Sequence, residues 1–225
     1  VSNGGVIPYF RTGGKYSSTL SLASIEPVKV DVTITAVRND GSALGTKSVT
    51  LNPNGGFRGD LQSVFPAADS EQAEGWLLLQ ATGRVCGTLI YGRSDAGALS
   101  AIPIQATPKM AFVFPQVVQN SGSYTEITLV NPSSNTSYAD VYVAQQDGST
   151  VSSNRVTLPP SSRVSQPLDQ LMYPDMITQS GGYVFVRAAD PLFATASLWS
   201  SSGSTLANFS PESAPTGFLP APPPP

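Results

Sequence analysis

Three observations predict an all-β protein built from two tandem antiparallel β-sandwiches. The chain is duplicated: Ile7-Pro8 returns 107 places later as Phe114-Pro115, and the copies stay aligned for about a hundred positions. Within each copy the apolar residues alternate with period two, as they do along a half-buried strand. Turn signals recur about every ten residues and no 3.6-residue apolar period intervenes, which suits short strands rather than helices.

The elements follow in order. Leu20-Ser21-Leu22 aligns with Ile127-Thr128-Leu129 as the second strand of each copy. Val28, Val30, Val32, Ile34 and Ala36 point one way while Lys29, Asp31, Thr33 and Thr35 point the other, and Ala139, Val141 and Val143 repeat the inward set. A hairpin signal comes next, Asp40-Gly41-Ser42 and then Asp147-Gly148-Ser149, where Asp-Gly supplies the positive φ of a tight turn. Val49-Thr50-Leu51 and Val156-Thr157-Leu158 form the returning strand, and Gly75-Trp76-Leu77 matches Gly182-Tyr183-Val184. In the first copy strands are expected around 6–10, 18–24, 28–37, 44–51, 56–61, 75–81, 84–91 and 97–104. This pattern reads as a sandwich of immunoglobulin-like type, with a closed barrel as the competing architecture. The expected divisions are residues 1–105 for the first sandwich, 106–111 for a linker around Pro108, 112–212 for the second sandwich and 213–225 for a Pro-rich tail.

Composition restricts function. Charged residues make up 12% of the chain, against ~25% in an average domain, and Ser, Thr, Gly and Pro take their place. That balance points to a secreted, extracellular protein. The net charge of −3 comes with scattered Lys and Arg, so nucleic acid is not an expected partner. No apolar run approaches a membrane span, and the chain opens at Val1 as a mature secreted chain or a trimmed one would. The single cysteine, Cys86, aligns with Phe193 and is read as a small core filler without a disulfide partner.

The chain holds no histidine, which removes the commonest general base and metal ligand. The one dense acidic group, Asp69, Glu71 and Glu74, has no acidic counterpart at Met176, Thr178 and Gly181, and is read as a solvated loop. No catalytic residue, metal site or cofactor is expected, and the protein is read as non-enzymatic.

Two features point to contacts between molecules. Trp76, Tyr183 and Phe185 lie on the face of their strands opposite Leu77, Leu79 and Val184, and are candidates for an assembly surface. The apolar-apolar-Pro opening of each copy, Val6-Ile7-Pro8 and Val113-Phe114-Pro115, returns a third time at Phe218-Leu219-Pro220. No further domain follows it here, and these three residues are candidates for contact with a neighbouring subunit, since a heterologous end-to-end contact generates filaments. Asn135 and Asn208 each begin an N-x-Ser/Thr sequon, and neither is mirrored in the other copy, where Val28 and Ala101 stand.

The run of Phe114-Pro115, Thr-Glu-Ile-Thr-Leu-Val-Asn-Pro at 125–132, Asp147-Gly148, Leu158-Pro159-Pro160 and Gly-Tyr-Val-Phe-Val at 182–186 resembles the immunoglobulin-like repeats of secreted bacterial surface proteins. The first copy departs from it at Ser24-Ile25, where the second has Asn131-Pro132. The resemblance implies extracellular adhesion, spacing or assembly and carries no catalytic residue. The expectation is a structural, self-assembling surface or filament subunit that forms homo-oligomers or homopolymers. The alternative is an adhesive or carbohydrate-binding module with a glycan as partner.

Overall fold

The computed structural model describes residues 2–66, 73–173, 178–203 and 206–215. The chain divides into two compact units, Val1–Thr107 and Pro108–Pro225. The division falls inside the expected linker, and half of that linker is strand. Its residues from Lys109 onward already belong to the first strand of the second unit.

Unit 1 runs β1 (Ser2–Thr12), β2 (Tyr16–Ser24), β3 (Val30–Arg38), β4 (Ala43–Leu51), β5 (Gly56–Asp60), the helical turn α1 (Leu61–Val64), β6 (Ala73–Arg93) and β7 (Ala98–Pro103). Unit 2 repeats it as β8 (Lys109–Phe114) with β9 (Val118–Gln119), β10 (Ser123–Val130), β11 (Ser137–Ala144), β12 (Thr150–Leu158), β13 (Arg163–Pro167), α2 (Leu168–Leu171), β14 (Gln179–Ser180), β15 (Tyr183–Ser200), β16 (Leu206–Phe209) and β17 (Glu212–Ser213). Both units are antiparallel throughout their described ladders, so the all-β tandem architecture holds.

The separate strands expected at 75–81 and 84–91 are one long strand, β6. Its first half pairs with β1 and β3, up to Val32 opposite Ala81, and its second half pairs with β2 and β7, from Ser24 opposite Val85. A single strand therefore serves both layers, β4-β3-β6-β1 and β5-β2-β6-β7, by bending between them. The bend at Thr82-Gly83-Arg84 is tied down at Arg84. The Ser24 hydroxyl donates to the Arg84 carbonyl at 3.0 Å, and the Arg84 guanidinium donates to Glu26 at 2.7 Å. In unit 2 the bend of β15 falls at Ala189-Asp190-Pro191, where a proline is tolerated because the ladder is interrupted.

One side of each unit is laced shut. Val6 and Gln105 exchange backbone hydrogen bonds of 2.9 and 2.8 Å, linking β1 to the chain beyond β7. The second unit repeats the link as Glu212 opposite Val113. The sheets are thus curled sandwiches.

The duplication extends to register. Ile34 faces Leu79 where Val141 faces Val186, Leu20 faces Leu89 where Ile127 faces Ala196, and Leu22 faces Phe57 where Leu129 faces Val164. Each second pair lies 107 residues after the first. The inward rows form the cores: Ile7, Leu20, Ile34, Leu77 and Leu89 in unit 1, and Phe114, Ile127, Val141, Val186 and Ala196 in unit 2 are all fully buried. Gly75 and Gly182 recur because a Cβ at either would strike the facing strand's carbonyl, Val37 or Ala144, and Gly182 also takes φ +85°.

Candidate interaction surface

Since register is copied, every outward position in unit 1 has a counterpart in unit 2. The outer face of the layer β5-β2-β6-β7 carries Ser17, Thr19, Ser21 and Ala23 from β2, Cys86, Thr88, Ile90 and Gly92 from β6, and Leu99, Ala101 and Pro103 from β7. Only Arg58 and Asp60, on β5 at one margin, are charged. Ala23, Cys86 and Ala101 are exposed, Ile90 is 36% exposed and Leu99 66%. This is a weakly polar surface made mostly of small side chains, with Ile90 and Leu99 as the larger ones.

On the same face of unit 2 several equivalent positions are buried, while Tyr124, Glu126 and Asn208 are half-buried. Val130 stands for Ala23 at 0% exposure, Phe193 for Cys86 at 6%, Thr195 for Thr88 at 1%, and Trp199 for Gly92 at 3%. Its side chains are also bulkier. Trp199 stacks on Tyr124 with ring centroids 6.5 Å apart, where unit 1 has Gly92 and Ser17. Some polar bonding is nonetheless common to both faces. Thr88 donates to the Ile102 carbonyl at 3.1 Å and Thr195 to that of Phe209 at 3.2 Å.

Cys86 is therefore not the core filler its alignment suggested. The residues flanking it in the ladder, Val85 and Gly87, show why: Val85 is buried inward, so the next side chain must point out. Its thiol is exposed, 3.7 Å from the Ala23 carbonyl.

The aromatic residues expected to form an exposed assembly surface do not form one within the chain. Trp76 is 3% exposed and Phe185 is fully buried, its ring 5.8 Å from that of Tyr142 on the adjacent strand. Both positions point away from the sandwich interior but are covered all the same. Tyr183 is half-buried. Phe218, Leu219 and Pro220 lie outside the described residues, as do Asp69 and Glu71. Glu74 accepts from Asn39 at 2.7 Å and stands 3.7 Å from Arg11, a structural bracket across the strand ends. Among the described residues no group of three His, Cys, Asp or Glu side chains could hold a metal ion.

Asn135 is exposed in the β10–β11 connection. Asn208 sits half-buried on β16, its side-chain carbonyl accepting from Ser197 at 2.7 Å, so that sequon is engaged in the sheet.

Unit 2 also presents a polar depression at the β11–β12 hairpin. One part, about 430 Å³, is lined by Gln145, Gln146, Asp147, Gln179 and Gly181, and an adjoining part, about 450 Å³, by Pro115, Gln116, Gly182 and Tyr183. Gln179 already donates to the Ala144 carbonyl at 2.8 Å, which fixes this rim. Asp147 accepts from the Ser149 hydroxyl and backbone N–H, and those bonds hold its carboxyl below the ordinary range.

No protein-family model and no curated protein matches the chain. Among solved structures, the crystal structure of Thermotoga maritima 1070 is similar over 48% of this chain and 98% of that one, at 16% identity and a TM-score of 0.40.

Proposed function

We propose that this chain is a non-enzymatic, extracellular structural protein that assembles with copies of itself as a surface or filament subunit. The observation that supports this best is the margin of unit 1. β7, Ala98-Leu-Ser-Ala-Ile-Pro103, pairs with β6 and bears no charged side chain, and it borders the uncharged outer face already described. Edge strands of monomers are ordinarily guarded by charge or proline, because an unguarded edge templates association, and β7 has such a guard only at its end, Pro103. Other edge strands carry such guards, Lys47 on β4 in unit 1 and Arg155 on β12 in unit 2. The low charge content and the likeness to immunoglobulin-like repeats of secreted bacterial surface proteins support an extracellular setting.

The expected outcome is a sedimentation coefficient that rises with concentration, with assemblies visible by electron microscopy. Placing a guard on the edge with Leu99→Lys raises the concentration needed for assembly by at least about tenfold, equivalent to ~1.4 kcal/mol. A chain that stays monomeric across the whole accessible range overturns the reading.

A second reading, a glycan-binding module, is favoured by the depression around Gln145, Gln146, Gln179 and Tyr183. Amide groups and an aromatic face are the donors, acceptors and stacking surface that a sugar uses. Under that reading the monomer binds oligosaccharides on an array, and Tyr183→Ala removes the binding.

A further inference from the structure

We infer that the open outer face of unit 1 is the docking site for the C-terminal segment, residues 216–225, of a second copy of this chain. This deepens the assembly reading and rests on it.

The starting point is the unequal cover of two faces built to one register. In unit 2 the positions of Val130 and Phe193 are buried, whereas in unit 1 their equivalents Ala23 and Cys86 are exposed; Thr88 is half-buried where Thr195 is buried, and Gly92, like Trp199, is buried. The fold thus treats this face as one to be covered, and unit 1 lacks its cover. Volume points the same way: where unit 2 fills the face with Phe193 and Val130, unit 1 offers Cys86 and Ala23. A cover for unit 1 must bring its own bulk. An occupant with large apolar side chains and few charges fits such a surface.

The segment Thr216-Gly-Phe-Leu-Pro-Ala-Pro-Pro-Pro-Pro225 has that character, with Phe218 and Leu219 as the bulky groups and no charged side chain. Its length also fits. Four strands ~4.8 Å apart make a face roughly 19 Å wide, and seven strand residues make it about 23 Å long. Ten residues rich in proline would span about 31 Å if extended at ~3.1 Å each. The segment follows Ala214, whose backbone N–H donates to Ala111 at 3.1 Å, so each copy presents it beyond an anchored point. Crossing the face would use most of that length, and assembly brings the face of another copy to it. A patch of this size is well below the ~800 Å² per partner of a standard interface, so face-to-face packing of two copies through it alone would be weak.

Cys86, the one thiol of the chain, lies in the proposed contact and reports on it. In the full-length protein, reaction of Cys86 with a maleimide should slow at least about tenfold as the chain assembles, because thiol reactivity follows access. Phe218→Asp should restore the fast rate and reduce assembly. Phe218→Cys under mild oxidation should yield covalent dimers and larger species joined through Cys86 and position 218.

The outcomes separate. If the chain assembles while Cys86 stays reactive and no such cross-link forms, the docking inference falls and the assembly reading stands. Cross-links confined to Cys86–Cys86 pairs show face-to-face packing, and cross-links closed within one chain show its own tail on the face. Either overturns the inference. A chain that never assembles overturns the reading on which it rests.

Discussion

At the scale of single residues, the best-determined chemistry is at the turns. Asp40 accepts from the Ser42 N–H at 2.9 Å and hydroxyl at 2.7 Å, with Gly41 at φ +90°. Asp147 repeats this with Ser149 and with Gly148 at φ +88°. The serine hydrogen bonds hold both carboxyls below their ordinary range, as guanidinium hydrogen bonds do for Glu26 at Arg84, Asp95 at Arg93 and Asp140 at Arg155. A carboxyl whose folded pKa is depressed stabilises the fold above its unfolded value and loses that contribution as pH falls through the folded one. With no histidine in the chain, little else titrates near neutrality. The urea midpoint should therefore be nearly flat from about pH 5 to 8 and fall below about pH 4. A midpoint that instead moved between pH 6 and 7 would contradict this account. Asp147→Asn keeps a neutral acceptor for the turn while removing the charge, so it should lower the midpoint at pH 7 by about as much as it shrinks the acid limb, with little change at acid pH.

At the scale of elements, the copied register explains how much could be read from the sequence. Strand order along the chain, the Asp-Gly hairpins and the inward rows were legible because alternation and turn chemistry are local, and a second copy confirmed each of them. The continuity of β6 was not. Thr82-Gly83-Arg84 looks like a break, and only the bonds from Ser24 and Glu26 turn it into a bend within one strand. The outward faces were least legible. Alternation says that Cys86 and Phe193 leave the core, but whether such a side chain is then covered depends on what lies over it. The signal available was the contrast between copies, bulky at Val130 and Phe193 and small at Ala23 and Cys86. Close strand approach yields a firmer expectation. Gly182→Val would place a side chain against the Ala144 carbonyl at φ +85°, while Gly181, beside it at φ +95°, would meet only the flexible Gln146 side chain. Gly182→Val should thus cost roughly 2–4 kcal/mol, and Gly181→Ala clearly less, in equilibrium unfolding.

At the scale of the whole molecule, each unit closes its own core. Leu77, Ile34 and Leu89 are fully buried in unit 1, as Val186, Val141 and Ile127 are in unit 2. The lacing also closes within each unit, Val6 to Gln105 and Val113 to Glu212. Units with separate cores are separate cooperative systems unless a large interface couples them. A cavity in one core should therefore lower the stability of that unit alone. Leu77→Ala removes a fully buried side chain and should cost about 2–5 kcal/mol in unit 1. In a unit of roughly a hundred residues, each kcal/mol displaces the melting temperature by ~4–8 °C. Calorimetry of the variant should then resolve two transitions, one displaced downward and one where the parent melts. The mirror substitution Val184→Ala, in unit 2, should displace the other. If either variant instead moved a single transition as a whole, the units would be coupled, and the duplication would have produced one folding system.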